Sequence, residues 1–288
     1  MGNLLIICIV CADRHLHTPM YFFLVNLSIL DISSLTATVP KLLIILLTQN
    51  NTISFSECIV QMICFSISVE IEFMILTAMA YDRYVAICNP LRYTIIMNKR
   101  VCALLAAVSW LAGSLELLPH FVAISQFSFC DSHVINHFYC DYIALLKLSC
   151  TDTSFIEPMT FVAFVFTVFT PFLLTLTSYV FIISTILKMH STEGKSKAFS
   201  TCSSHITVLI LSYGTMFGVN MQPRSGKSLK TNKLVTALYT VILPLLNPLV
   251  YSLRSKELNV ALRKSIRQKP ALSASNHFWK HRWKKQFC

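Results

Sequence analysis

Three carboxylates, Asp31, Glu70 and Glu72, stand inside long apolar stretches of this 288-residue chain. An uncompensated charge in such a setting is costly, so each needs a proton, a cation or a hydrogen-bond donor, and polar groups placed this way tend to be functional. Glu70 and Glu72 are two residues apart, so on a helix they diverge by roughly 200° and cannot share one partner. A further acid, Asp82, is followed at once by Arg83 where an apolar run meets a basic stretch containing Arg92, Lys99 and Arg100. Adjacent opposite charges at a helix end satisfy each other at rest, and the arginine can leave for another partner when neighbouring helices move. The pair reads as a switch at a cytoplasmic membrane face. Of the 11 cysteines, Cys58, Cys130, Cys140 and Cys150 fall on the opposite side, where oxidation is favoured. Four cysteines permit three disulfide pairings, and with His133 and His137 nearby a zinc site is the alternative.

These residues need elements to position them, and composition says which. With 55% hydrophobic and 13% charged residues, and a mean hydropathy of +0.62, the chain is too apolar for a soluble protein of its length. Few glycines and no two-residue alternation argue against a membrane β-barrel. The fold class expected is an all-α membrane protein, a bundle of seven transmembrane helices. The spans are drawn at about 1–12, 19–46, 58–83, 101–121, 158–187, 200–222 and 234–253. The first is too short, because twelve helical residues cover only ~18 Å of a ~30 Å core, so a first helix truncated at its N-terminus is expected. Prolines Pro40, Pro171, Pro244 and Pro248 lie inside apolar runs, where membrane helices tolerate them as kinks.

The formal charge of +11 does not imply nucleic acid, because the cations sit between and after the apolar runs. One connection carries Arg83, Arg92, Lys99 and Arg100, another Lys188, Lys195 and Lys197, and ten Lys or Arg follow Tyr251. That alternation puts these loops and the C-terminus in the cytoplasm, although Arg224, Lys227, Lys230 and Lys233 fall in a loop the same count places outside. The chain divides into a membrane domain over 1–254 and a tail over 255–288. In the tail, Leu258, Ala261 and Leu262 share one face of a short amphipathic helix lying flat on the inner lipid surface, and the remaining cations with Trp and Phe suit an anionic leaflet. No repeat relates two halves of the chain, which counts against a transporter whose ion path would be Asp31, Glu70 and Glu72. No nucleophile or metal constellation marks an enzyme. Asn50-Asn51-Thr52 is a glycosylation sequon, whereas Asn26-Leu27-Ser28 matches inside a span.

Helical spacing puts Phe65, Ser66 and Val69 one to two turns below Cys58, with Phe164, Thr167, Tyr213, Met216, Phe217 and Asn220 at comparable depth on the fifth and sixth helices. Mostly apolar with a few polar groups, this set has the character of a small-molecule site.

Four blocks agree in order and spacing with one family: Leu16-His-Thr-Pro-Met-Tyr-Phe-Phe23, Met79-Ala-Tyr-Asp-Arg-Tyr-Val-Ala-Ile-Cys88, Lys197-Ala-Phe-Ser-Thr-Cys-Ser-Ser-His205 and Pro244-Leu-Leu-Asn-Pro-Leu-Val-Tyr-Ser252. The chain resembles the odorant (olfactory) receptor branch of the rhodopsin-like G-protein-coupled receptors. The resemblance implies a volatile, mostly apolar odorant bound in the helical bundle, and a heterotrimeric G protein, the stimulatory one acting on adenylyl cyclase, as partner. It implies that Arg83 contacts the G protein and is restrained by Asp82 at rest, with Tyr179 and Tyr251 meeting this region in the active state. It implies disulfides Cys58 to Cys140 and Cys130 to Cys150. It also groups Asp31, Glu72 and Asn247 around a sodium ion, to be weighed against a protonated hydrogen-bonded network; no other cofactor is expected. Ser212-Tyr-Gly-Thr215 resembles the family's sixth-helix switch block, which supports Tyr213. At Glu70 the family usually has an uncharged residue near the odorant pocket, so Glu70 either receives a cationic or donor ligand or is a protonated carboxyl bonded to the fourth or fifth helix. The missing N-terminal segment and the basic, Trp-containing C-terminus depart from the family, and leave a mis-started, inactive receptor fragment as the alternative.

Overall fold

The computed structural model describes residues 1–129, 134–152, 154–220, 235–254 and 258–262. These are helical apart from loops and one isolated antiparallel bridge, Phe129 to Ser149. α1 is Gly2–Ala12, α2 Pro19–Thr48, α3 Phe55–Cys88 and α4 Lys99–Ser125. α5 runs through three pieces, Ile156–Phe164, a π turn Val165–Phe169 and Thr170–Lys188. α6 is Thr192–Asn220, and α7 consists of a helical lead-in at 235–237, a π turn Leu238–Ile242 and Leu243–Arg254. Each of the seven apolar segments drawn from the sequence overlaps a described helix, with positions 221, 222 and 234 outside the described residues. Five of the described helices, α2, α3, α4, α5 and α7, are long and apolar enough to cross a membrane. α1 is shorter at 11 residues, and α6 has 29 residues but opens on a polar stretch holding Glu193, Lys195 and Lys197.

Local chemistry explains the ends. Ser54 and Glu57 form a reciprocal capping box that starts α3. The helix continues beyond position 83 through Tyr84-Val-Ala-Ile-Cys88 and stops at Asn89-Pro90, where the residue before a proline is pushed out of helical geometry. Asn98 starts α4 by accepting from the backbone of Arg100 at 3.0 Å and Val101 at 3.1 Å. α2 ends at Gln49 with a left-handed φ of 56°.

α3 is the central helix. Half of its apolar window is buried, 50% against 22% for α2 and for α5, and Ile71, Phe73, Ile75, Leu76 and Met79 are wholly enclosed. Lipid tails are as apolar as leucine, so close packing and interhelical hydrogen bonds hold such helices together. At Gly113 of α4 an added Cβ would lie 2.7 Å from Ile71 Cγ1 and 3.2 Å from Ile71 N, so this glycine sets the closest approach of α4 to α3. Asn26 of α2 accepts from Trp110 Nε1 of α4 at 3.0 Å, which gives the in-span sequon a packing role. Leu104, Leu111 and Leu115 of α4 and Phe166 of α5 point outward, as lipid-facing residues do. Past α7, residues 258–262 are helical, with Leu258 and Ala261 buried against the bundle and Asn259 Nδ2 donating to Ser252 O at 2.6 Å.

Candidate functional site

At one end of the bundle, Asp82 is fully buried and both its oxygens are taken. Oδ2 accepts from Arg83, through Nε at 2.9 Å and through Nη2, while Oδ1 accepts from the Tyr93 hydroxyl at 2.8 Å. Tyr93 opens a single helical turn, Tyr93–Ile96, in the connection between α3 and α4. Burial, and then the Asp82 carboxylate, push the Tyr93 phenol up, so it stays a neutral donor. Tyr179 of α5 bonds to His205 Nδ1 of α6 at 2.7 Å rather than to Arg83. The Tyr251 hydroxyl of α7 is buried without a hydrogen-bond partner. Arg83 is thus held by its neighbour, and the two tyrosines near it are engaged elsewhere or idle.

Deeper in the bundle, Asn247 Nδ2 of α7 donates to Asp31 of α2 at 3.1 Å and 3.3 Å, and both residues are buried. Glu72 of α3 accepts from Ser212 of α6 at 3.1 Å. Glu72 also borders a cavity of about 10 Å³, lined with it by Ser34, Ser68, Tyr239 and Pro244, close to the least that holds one water. Asn247 Oδ1 and Asn3 Oδ1 are buried without partners. Carboxylate and amide oxygens are the ligands a hard cation prefers, so the residues present fit sodium. Among the described residues no group of three or more His, Cys, Asp and Glu gathers as for a transition metal, and His133, of the zinc alternative, lies outside them.

The expected ligand residues fall into three places. Phe65 and Val69 border the small cavity, with the Phe65 ring 5.1 Å from Tyr139 and 6.3 Å from Tyr239. Tyr213 and Phe217 join an aromatic cluster across α3, α5 and α6: Phe73 to Tyr213 at 4.8 Å, Phe172 to Tyr213 and to Phe217 at 5.2 Å each, and Phe164 to Phe217 at 6.3 Å. Met216 is half-buried against the hydrophobic core; Thr167 is buried and donates to Ala163 O at 2.9 Å, and Ser66 is half-buried on α3. Glu70 turns elsewhere, towards α4, where its Cβ is 3.5 Å from the position a Gly113 Cβ would take. The Asn220 side chain lies outside the described residues.

At the far end, Cys58 and Cys140 are bonded with Cα atoms 5.3 Å apart. Gln61, buried beside them, accepts from Cys140 N at 2.9 Å and donates to Ala37 O of α2 at 3.0 Å. The loop continues through a short helix, Tyr142–Leu146, capped by Asp141, and Cys150 N donates to Ser128 O at 2.9 Å. Cys130, of the second expected bridge, lies outside the described residues, as do Arg224, Lys227, Lys230, Lys233 and the tail beyond 262.

Over residues 1–269 the chain matches the family model described as olfactory receptor. The chain belongs to the olfactory receptor family. It is 46% identical over 269 residues to olfactory receptor-like protein OLF3 of Canis lupus familiaris, covering 93% of this chain and 84% of that protein. It is 46% identical to olfactory receptor 1S1 of Homo sapiens over 93% and 83% of the two chains, and 45% identical to olfactory receptor 1J1 of Mus musculus over 95% and 87%. Membership makes the chain a membrane receptor of the G-protein-coupled class and not an enzyme. In this olfactory receptor, sequence reasoning passed over Tyr93, His205 and Ser212 as partners of Asp82, Tyr179 and Glu72, and Glu116 as the carboxyl beside Glu70. His205 and Ser212 were legible as motif members, and Glu116 as a charge within an apolar run; Tyr93 offered no signal, because its role depends on how a loop folds back.

Proposed function

We propose that the chain is an odorant receptor of the plasma membrane that binds small, mostly apolar molecules between α3, α5 and α6 and activates a heterotrimeric G protein, the stimulatory one acting on adenylyl cyclase. Loop charges support a cytoplasmic C-terminus and Arg83 end. The observation that carries the reading is Arg83 bonded to Asp82 while Tyr179 and Tyr251 lie free of it, the arrangement of a switch at rest. A ligand that binds better when α6 has moved outward shifts the population towards a state in which Arg83 leaves Asp82 for the G protein. The aromatic cluster supports this route, since Tyr213 and Phe217 of α6 rest on Phe73 of α3 and Phe172 of α5, and a ligand among them bears directly on α6. Asp31, Asn247 and Glu72 would hold a sodium ion that favours the resting bundle. Membrane lipid is the remaining partner, and nucleic acid is not one.

The test is a cyclic-AMP reporter in cells presenting the receptor, screened with a chemically diverse odorant panel. A reproducible ligand-dependent signal that disappears in Arg83→Ala, at equal surface staining, is the expected outcome. Ligand-dependent currents without G protein, or signalling indifferent to Arg83→Ala, would overturn the reading.

A further inference from the structure

Glu70 and Glu116 are two acids within the bundle that neither the switch nor the sodium cluster uses. Where α4 packs against α3 the Gly113 position adjoins Glu70, Glu116 stands about one turn further along α4, and the Glu116 charge acts on the Glu70 carboxyl. Glu70 Oε2 and Glu116 Oε1 are both buried without a hydrogen-bond partner, while Thr167 of α5 stands beside the Glu116 carboxyl. Glu116 also lines a cleft of about 290 Å³ between α4 and α5, with Pro119, His120, Met159, Val162, Ala163 and Phe166. That volume is near the low end of those found for small-molecule sites. The cleft opens sideways towards the bilayer, where Val162 and Phe166 are exposed. His120, itself 8% exposed, contacts Glu116 O through Nδ1 at 3.3 Å and sets its ring edge-on to Tyr142 at 5.2 Å, closing one end of the cleft.

We propose that this cleft binds a lipophilic amine, its ammonium at Glu116, with Glu70 behind it outside the cleft lining, and its hydrocarbon tail along Met159, Val162 and Phe166. Two neighbouring carboxyl oxygens without partners in an apolar surround lack a positive charge or a donor with several protons, and a protonated amine supplies both. The charge-assisted bonds it makes are stronger than those of a neutral alcohol of the same shape. A lipid chain could fill the apolar half of the cleft but would leave both carboxyls unanswered. The inference rests on the reading of the chain as a ligand-responsive receptor and gives that receptor a ligand class.

The experiment uses the full chain in lipid nanodiscs and compares n-hexylamine with 1-hexanol, which share a tail and differ in the head, by the concentration that half-saturates thermal stabilisation. Hexylamine is expected to bind roughly ten- to a hundredfold more tightly than hexanol, with Glu116→Gln removing the preference and Glu70→Gln reducing it. Ala163→Phe, which fills the cleft and leaves both acids in place, should abolish hexylamine binding and decides the matter if the glutamine variants do not fold. Equal binding of amine and alcohol, a preference surviving both glutamine variants, or hexylamine binding that survives Ala163→Phe would each overturn the proposal. The cyclic-AMP reporter separates the two readings. Glutamate-dependent amine binding without any signal would uphold the cleft and sink the signalling function. Signals from other odorants with no amine preference would do the reverse.

Discussion

Tyr93 and Arg83 divide the Asp82 carboxylate between them, one oxygen each, so the resting state of the switch depends on a loop residue as well as on the helix that carries it. Tyr93→Phe keeps the ring and deletes the donor. The loss is expected to take about 1 kcal/mol from the resting state, a shift of roughly fivefold in the resting-to-active ratio. Basal cyclic AMP, normalised to surface expression, should rise accordingly, and an unchanged basal level would show that Tyr93 does not restrain Asp82. The Asp-Arg pair was legible in the sequence because the two residues are neighbours. Its third member was not, because proximity between position 93 and position 82 arises only when Asn89-Pro90 ends α3 and turns the chain back. Asp31 likewise announced that it needed a partner; its own surroundings did not say which, the family resemblance grouped it with Asn247, and the assembled bundle joins the two by a direct hydrogen bond across 216 residues.

Between elements, the sharpest test of packing is Gly113, where α4 meets α3 with no room for a side chain. Gly113→Ala is expected to push the two helices apart at a cost of about 1–3 kcal/mol, as overpacking does. The apparent melting temperature of the purified receptor should fall. Gly214→Ala serves as the control, because nothing lies within 4 Å of a Cβ there, and its melting temperature should not fall. If the two variants melt alike, the α3–α4 contact is softer than its geometry implies. The existence of the helices was legible from apolar runs, since a membrane leaves few other ways to satisfy a backbone. Their limits were not fully so: α3 runs on to Cys88 and α6 starts at Thr192, because helix ends follow caps and prolines while apolarity follows the bilayer.

For the molecule as a whole, the Cys58–Cys140 bond and Gln61 fasten the long loop to α3, and Gln61 reaches on to α2. Cys140→Ser should cost roughly 2–4 kcal/mol, read as a lower apparent melting temperature and weaker surface staining. Cys58→Ser should match it, and the double variant should lose no more, since both changes remove one bond. Additive losses would mean that the two sulfurs stabilise separate contacts. The π turn in α5 sets another relation that reaches beyond its own residues. Phe164 and Phe172 both touch Phe217, yet eight residues of plain α-helix would leave them roughly 80° apart, and the one extra residue of the π turn brings them within about 20°. The outer part of α5 therefore keeps its phase only while that residue is present. Deleting one residue from Val165–Phe169 would rotate everything on its outer side, including the cleft-lining Met159 and Val162, by roughly 100° relative to Phe172 and Tyr179, so one deletion re-aims a binding surface without changing any residue in it.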